Sequence, residues 1–256
     1  MPFFIDTHCH FDAAEFNADR DAEYARAVES GVDIQIVPAV SRDNFAAVAA
    51  VCARYPGCQP AWGLHPMLLD VHRPEHLSAL RAQVEARRPV AIGEIGLDLF
   101  VSHLDVATQE IYYLEQLKIA REFDLPVLLH CRKANDAILK YLRRIKVRGG
   151  IAHAFNGSPQ QADEFIKLGF KLGFGGAFTW PRAHNLRRLA VDLPLEAIVL
   201  ETDSPDIPPV WIGRGRNAPG ELPRIAQELA NLRGLPLTVV RDATTRNAQH
   251  VLGLER

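Results

Sequence analysis

Short, nearly continuous apolar segments alternate along the chain with longer amphipathic ones. The short segments are three to seven residues long and rich in β-branched residues, which is typical of parallel strands buried on both faces. They predict eight strands at residues 3–6, 34–40, 59–63, 90–93, 127–129, 150–152, 170–174 and 198–200.

The longer segments carry apolar residues at helical spacing. Phe45, Val48 and Val51 share one face of a predicted helix, and Pro74 stands near the start of another, where proline is tolerated. The predicted helices are residues 19–29, 43–54, 74–87, 108–123, 135–144, 159–168, 183–192, 221–233 and 237–252.

The alternation repeats every 20 to 36 residues or so, which is about the size of a strand–helix unit. An open doubly wound sheet usually has about five or six strands, whereas eight strands favour a closed barrel. We therefore predict an α/β protein with a (β/α)8 TIM barrel, formed by a single domain over residues 1–256.

Composition excludes several classes of protein. The 256 residues are 48% hydrophobic, and 29 Lys and Arg face 31 Asp and Glu, so the chain is neither disordered nor broadly attracted to nucleic acid or anionic membranes. No apolar segment approaches the roughly 20 residues of a membrane span, and the first residues do not resemble a signal peptide. We expect a cytoplasmic protein with four reduced cysteines and no membrane partner.

Residues that commonly bind metals lie just past the predicted strands. In a barrel these positions meet at one rim, the C-terminal face, where active sites lie. Imidazole and carboxylate groups together have the composition of a metal site. The residues are His8, His10, His65, Glu94, His130, His153 and Asp203.

Each of these residues also has a structural explanation, as a core histidine or a polar strand end. His8 and His10 share a face on an extended strand, while Cys9 points away. Glu94 lies among apolar residues and glycines, where a buried carboxylate is costly unless it is paired or binds a metal. One metal cluster accounts for all of these positions together, which favours it over separate explanations.

Other polar residues keep open or ordinary interpretations. His65 is open between a substrate contact and packing, and Glu201 faces the same way as Asp203 by parity, so one of these two carboxylates is a structural candidate. We expect His72 and His76 to be exposed to solvent, because a proline interrupts their helical spacing.

Two further carboxylates, Asp12 and Asp98, lie near the predicted rim, and the sequence gives them no role beyond hydrogen bonding. The chain has no GxxxxGK[ST], GxSxG or HExxH motif, so nothing in the sequence competes with a metal site.

The motifs taken together resemble the TatD family of metal-dependent hydrolases and deoxyribonucleases, a branch of the amidohydrolase-like barrels, nearly end to end. Three segments, which are residues 8–12, the segment that ends in Leu99-Phe100, and Trp180-Pro181-Arg182-Ala183, look closest to the YjjV-type subgroup. The motifs are Asp6-Thr7-His8-Cys9-His10, Gly63-Leu64-His65-Pro66, Gly93-Glu94-Ile95-Gly96-Leu97-Asp98, Leu129-His130-Cys131-Arg132, His153-Ala154-Phe155 with Gly157, and Glu201-Thr202-Asp203-Ser204-Pro205.

The resemblance implies a site for two divalent cations, which are Zn, Mn or Mg. The implied ligands are His8, His10 and Asp203 for one cation, His130 and His153 for the other, and Glu94 for both. A hydroxide held between the cations would attack the substrate, with Asp203 and Glu94 as catalytic residues and Asp203 taking the proton.

The formal charge of two cations, two carboxylates and a hydroxide is positive, which favours an anionic substrate such as a phosphodiester. His65, Arg132 and Arg182 are candidate substrate contacts, and Arg214 and Arg216 are further candidates for binding phosphate. The sequence shows neither a basic stripe nor an aromatic stacking platform, so binding would involve a short segment at the barrel mouth.

The favoured function is a two-metal phosphodiesterase or deoxyribonuclease of the 3'-5' exonuclease type, acting on DNA ends. The alternative is a metal-dependent hydrolase of a small-molecule amide, lactone or phosphoester. Related barrels of that kind often use a carboxylated lysine as the bridging ligand, and no lysine follows any of the first four predicted strands. A non-enzymatic interaction barrel is disfavoured because all six implied ligands are present.

Overall fold

Eight parallel strands, hydrogen-bonded in chain order from β1 to β8, form the centre of the molecule in a computed structural model that describes residues 3–254. The strands are β1 (Phe4–Asp6), β2 (Val32–Pro38), β3 (Cys58–Trp62), β4 (Ala91–Asp98), β5 (Val127–Arg132), β6 (Gly150–Ala152), β7 (Phe170–Phe174) and β8 (Ile198–Leu200). Thr7 N donates to Leu200 O at 3.1 Å, which joins β8 to the end of β1. The predicted (β/α)8 barrel is confirmed.

Within residues 3–254, seven α-helices connect successive strands, and two more α-helices follow β8. They are α1 (Arg20–Glu29), α2 (Phe45–Arg54), α3 (Glu75–Ala86), α4 (Val106–Glu122), α5 (Asn135–Arg144), α6 (Pro159–Lys167), α7 (His184–Asp192), α8 (Leu222–Arg233) and α9 (Leu237–Leu252). Every predicted helix is present with its ends within two residues of the prediction.

Local sequence sets several of these ends. Ser158 accepts a hydrogen bond from Gln161 N in a capping box at the start of α6, with Pro159 in the first turn. Gly234 and Gly253 adopt the left-handed conformation that ends α8 and α9.

Two strands are longer than the sequence predicts, and both carry site residues. We expected the fourth and fifth strands to end at Gly93 and Leu129, but β4 and β5 continue to Asp98 and Arg132. Glu94 therefore lies within its strand rather than after it, and so does His130. The reason is that the backbone ladder continues through the polar segment, with Gly96 paired to His130 and Asp98 to Arg132.

The barrel is filled at its N-terminal end by an apolar cluster. Helix α9 supplies Ala248, Val251 and Leu252 to this cluster and closes the barrel from below. The strand residues of the cluster are Ile5, Ile36, Ala61, Ala91, Leu128, Ile151 and Val199. A larger cluster packs the outer faces of the strands against the helices. The polar side chains of the candidate site lie above this cluster, at the C-terminal ends of the strands.

Among residues 3–254, none of the helices has the length and apolar character needed to cross a membrane. The cytoplasmic location expected from the sequence stays a prediction. So does the single domain over residues 1–256, and residues 1, 2, 255 and 256 of that range lie outside the described residues.

Candidate metal centre

The carboxylate of Glu94 is the centre of the site, and it is only 2% exposed. Its Oε2 lies 3.1 Å from His8 Nε2 and 3.6 Å from His10 Nε2. Its Oε1 lies 3.2 Å from His65 Nε2 and 3.1 Å from His130 Nδ1. One buried carboxylate therefore holds two pairs of imidazoles, one pair on each oxygen, which is the arrangement expected of a bridging ligand.

Asp203 faces the same cluster from the segment after β8. Its Oδ1 lies 3.7 Å from the Nε2 atoms of both His8 and His10, and 3.5 Å from His153 Nε2. These separations exceed the roughly 3.2 Å of an N–H···O hydrogen bond. Two ligands about 2.1 Å from one tetrahedral cation stand about 3.4 Å apart, so the donor atoms are spaced as a cation requires.

The backbone at Asp203 supports this position. The residue has φ of 55°, a left-handed conformation that is uncommon outside glycine. Asp203 N donates to His8 O at 2.8 Å, and this bond ties the strained residue to the histidine segment after β1.

His130 and His153 each turn one ring nitrogen towards the cluster and the other towards a carboxylate behind it. His130 Nε2 lies 2.9 Å from Asp98 Oδ2, and because a carboxylate only accepts, this nitrogen carries a proton, while Nδ1 faces Glu94 Oε1 at 3.1 Å. His153 Nδ1 lies 3.0 Å from Glu201 Oε1, while Nε2 faces Asp203 Oδ1 at 3.5 Å. A carboxylate behind a histidine is the usual support of a metal ligand.

His65 differs from these two histidines. Its Nδ1 accepts a hydrogen bond from Met67 N at 3.1 Å, so the neutral ring carries its proton on Nε2 and donates it towards Glu94. His65 is thus a hydrogen-bond donor at the centre of the site. Both ring nitrogens are therefore engaged within the protein, and the substrate contact expected from the sequence stays a prediction.

The expected solvent exposure of His72 is wrong. This residue is only 5% exposed, and its Nε2 donates to His65 O at 2.9 Å. The physical reason is the short 3-10 helix Pro66–Val71, which turns the chain so that His72 folds back against the His65 carbonyl. His76 is partly exposed.

The electrostatics of the cluster favour positive charge. Burial alone would lower the pKa of His153, but the carboxylates of Glu201 and Asp203 outweigh it and raise that pKa to about 10. Burial lowers the pKa of His8 to about 3, so this ring is neutral and its lone pair is available. Burial also raises the pKa of Asp203 to about 6, against the opposing effect of His153. A bound cation would supply the positive charge that the carboxylates attract.

The structure brings together all six predicted ligands, and it adds His65. In the part of the chain described here, three groups have ligand atoms within 4.8 Å of one another: His8, His10 and Asp203; His8, Glu94 and His153; and His65, Glu94 and His130. The first group matches the implied ligand set of one cation. His130 and His153 fall into different groups, the third and the second. That these two histidines bind the same cation therefore stays a prediction.

Above the cluster lies a cavity of about 1000 Å³ whose lining includes Arg132. Arg182 lines an adjoining cavity of about 690 Å³. The guanidinium of Arg216, a further candidate for binding phosphate, forms ion pairs with Asp19 and Glu23 at 2.7 and 2.9 Å, which disfavours a phosphate contact there.

The sequence did not assign the supporting carboxylates. Asp98 and Glu201 are buried, and each lies behind one histidine of the cluster. For Asp98 the available signal was parity, because it lies four residues after Glu94 and shares its face once β4 is extended. For Glu201 parity with Asp203 was noted, but the sequence does not show which histidine it contacts.

Comparisons with known proteins agree with the family that the motifs indicate. The family model described as TatD related DNase matches residues 5–253. The chain is 42% identical over 248 residues to the "Uncharacterized metal-dependent hydrolase YjjV" of Escherichia coli K12, covering 95% of each chain. It is 34% identical over 255 residues to the "3'-5' ssDNA/RNA exonuclease TatD" of Cronobacter sakazakii, again covering 95% of each.

The crystal structure of Escherichia coli YjjV, described as a TatD homologue, superposes with a TM-score of 0.95 at 40% identity over 98% of each chain. The match of the family model over nearly the whole chain and the identity to these relatives agree with the motifs. The chain therefore belongs to the TatD family of metal-dependent hydrolases.

Proposed function

We propose that this hydrolase is a two-metal phosphodiesterase that removes nucleotides from DNA ends in the 3'-5' direction. The observation that carries the proposal is the Glu94 carboxylate, which holds one pair of imidazoles on each oxygen beside Asp203. The Cronobacter relative named a 3'-5' exonuclease supports the direction and the class of substrate.

The residues fit two divalent cations, Zn, Mn or Mg. The proposed ligands are His8, His10 and Asp203 for one, His130 and His153 for the other, and Glu94 for both. When bound, such cations lower the pKa of a water molecule and stabilise the negative charge that develops on a phosphoryl group. His130 Nδ1 and His153 Nε2 both face the cluster, 3.1 Å from Glu94 Oε1 and 3.5 Å from Asp203 Oδ1, which supports the second set.

The side chains of the site have separate tasks in this reaction. Asp203, which lines the cavity, accepts the proton of the attacking water. His65 donates from Nε2 and holds the Glu94 carboxylate in place. Arg132 and Arg182 bind phosphate oxygens at the mouth and in the adjoining cavity. The bridging position is the carboxylate Glu94 rather than a lysine, which favours a phosphodiester over an amide.

A gel assay tests the proposal. DNA labelled at its 5' end, single-stranded or duplex, is incubated with the protein and Mn²⁺ or Mg²⁺. We expect a ladder that shortens from the 3' end and disappears with a chelator or with Asp203→Asn. The matched control is Asp192→Asn, which changes an exposed carboxylate at the end of α7 and should leave the ladder unchanged.

Two results would contradict the proposal. Intact DNA from protein shown to hold its cations would remove the nuclease function and leave small phosphoesters, amides and lactones as substrates. Shortening from the 5' end would refute the direction alone.

A further inference from the structure

Three residues at the mouth of the cavity, Phe100, Arg132 and Lys133, form what we call the rim cluster. All three line the same cavity as Glu94 and Asp203. Arg132 Cζ lies 3.9 Å from the centroid of the Phe100 ring, and Lys133 Nζ lies 4.9 Å from it. An aromatic ring and two cations therefore stand together beside the metal centre.

The ring is held in place although it is exposed. Phe100 is 51% exposed, which is unusual for a large apolar side chain that lines a cavity. Asp98 Oδ1 accepts hydrogen bonds from Phe100 N at 2.9 Å and Val101 N at 3.1 Å, and Leu99 N donates to Arg132 O at 2.9 Å. The segment that carries the ring is thus fixed to β4 and β5, so little ordering is needed when a ligand binds.

The two cations of the rim cluster are available to an anion. The carboxylate nearest to Arg132 is Asp98, whose Oδ2 lies 4.0 Å away and already contacts His130. Within residues 3–254, Lys133 forms no ion pair with a carboxylate inside 4 Å. Arg132 is 48% exposed at its side chain, so its guanidinium remains open to solvent.

The adjoining cavity repeats the combination of a ring and a cation. Arg182 Cζ lies 5.1 Å from the Trp180 ring, whose Nε1 donates to Pro208 O at 3.0 Å. Both cavities share Asn156 and Ile207 in their linings. An extended ligand could therefore contact the rim cluster and Trp180 at the same time.

We propose that the rim cluster binds an unpaired nucleotide of single-stranded DNA next to the bond that is cut. The base stacks against the Phe100 and Arg132 pair, and Lys133 contacts a phosphate. Stacking on an aromatic side chain needs an unpaired base and tolerates any sequence, so the cluster selects single strands over duplexes. This inference rests on the proposed nuclease function, because it names the substrate of the same site.

Binding rather than turnover tests the stacking contact. The probe is a fluorescent single-stranded oligonucleotide with hydrolysis-resistant phosphorothioate linkages, and its partner lacks the bases but keeps the backbone. With the Mn²⁺-loaded protein, Phe100→Ala should weaken binding of the base-containing probe about fivefold or more and leave the abasic probe unchanged. Phe100→Tyr should restore binding, and Ile111→Ala, at an equally exposed residue of α4, should have no effect.

Salt dependence tests the phosphate contact. For a single strand, each phosphate contact contributes about 0.7 to the slope of log affinity against log salt concentration. Lys133→Gln should lower the slope by about 0.7. Lys146→Gln removes the same charge from an exposed position between α5 and β6, at the opposite end of the barrel, and should leave the slope unchanged.

The outcomes separate this inference from the proposed function. Unchanged binding by Phe100→Ala, or equal losses with both probes, would overturn the subsite even if DNA is cleaved. If Phe100→Ala weakens binding of the base-containing probe alone, but the wild-type protein leaves DNA intact, the subsite would be supported and only the nuclease function refuted. Equal binding of single-stranded and duplex probes would also overturn it.

Discussion

Glu201 supports the metal centre from behind, and Glu201→Gln isolates that role. The carboxylate is 1% exposed, and its Oε1 lies 3.0 Å from His153 Nδ1 and 2.6 Å from Ala154 N. A glutamine oxygen at the same place would still accept from Ala154 N and would stay close to His153 Nδ1, so the substitution removes mainly the negative charge. We expect His153 to become less basic and to bind its cation more weakly.

The size of the effect follows from these contacts. Mutation of the carboxylate behind a metal-binding histidine typically costs about 10- to 100-fold in metal affinity. That range equals about 1.4 to 2.7 kcal/mol. The stability of the metal-free fold should change by less than about 1 kcal/mol, because the hydrogen bond from Ala154 N survives and a buried charge is removed.

Calorimetric titration with Mn²⁺ measures the affinity, and urea unfolding of the metal-free protein measures the stability. The control is Glu196→Gln, the same chemical change at an exposed residue just before β8. Unchanged Mn²⁺ affinity would refute the reasoning. A large loss of stability in the metal-free protein would instead show that Glu201 acts on the fold.

Three further predictions concern the fold and the cations. Leu128 is fully buried in the cluster at the N-terminal end of the barrel, so Leu128→Ala should lower the free energy of unfolding, measured in urea, by about 2 to 5 kcal/mol. A change as small as that caused by Ile111→Ala at an exposed residue would contradict the assigned core. Gly173→Ala would drive a Cβ into the Glu201 carboxylate, so the melting temperature and the Mn²⁺ affinity should both fall, and wild-type values would show that the strand has room to move. Removing cations with a chelator should lower the melting temperature, and Mn²⁺ at about 100 times its Kd should restore about 2.7 kcal/mol; a melting temperature insensitive to both would argue against a resident cation.

The sequence predicts regular elements best where apolar patterning acts alone. Strands β6, β7 and β8 and helices α5 and α9 have the predicted bounds, because clear changes of polarity mark their ends. Strands β4 and β5 extend past their predicted ends, because hydrogen bonds between neighbouring strands hold the backbone extended even where side chains are polar. Those polar residues include Glu94, so local pattern and fold disagree at the functional site, as expected there.

The sequence predicted which residue types meet at the site, but it did not predict which side chains contact each other there. Positions past apolar strands identified the histidines and carboxylates of the cluster, since parallel strands of a barrel bring these positions together. Which ring nitrogen faces which carboxylate depends on side-chain geometry, so the roles of Asp98 and Glu201 behind His130 and His153 were out of reach. Phe100 gave no signal either, because its exposure depends on the turn that Asp98 fixes.

We propose that two cations share the Glu94 carboxylate, and the number of Mn²⁺ ions bound per chain tests this most directly. The ions are counted by calorimetric titration for the wild type and for Glu94→Gln. We expect two ions in the wild type and fewer than two in the variant, because the shared ligand serves both positions. A wild-type chain that binds a single ion, or a variant that still binds two with unchanged affinity, would contradict it.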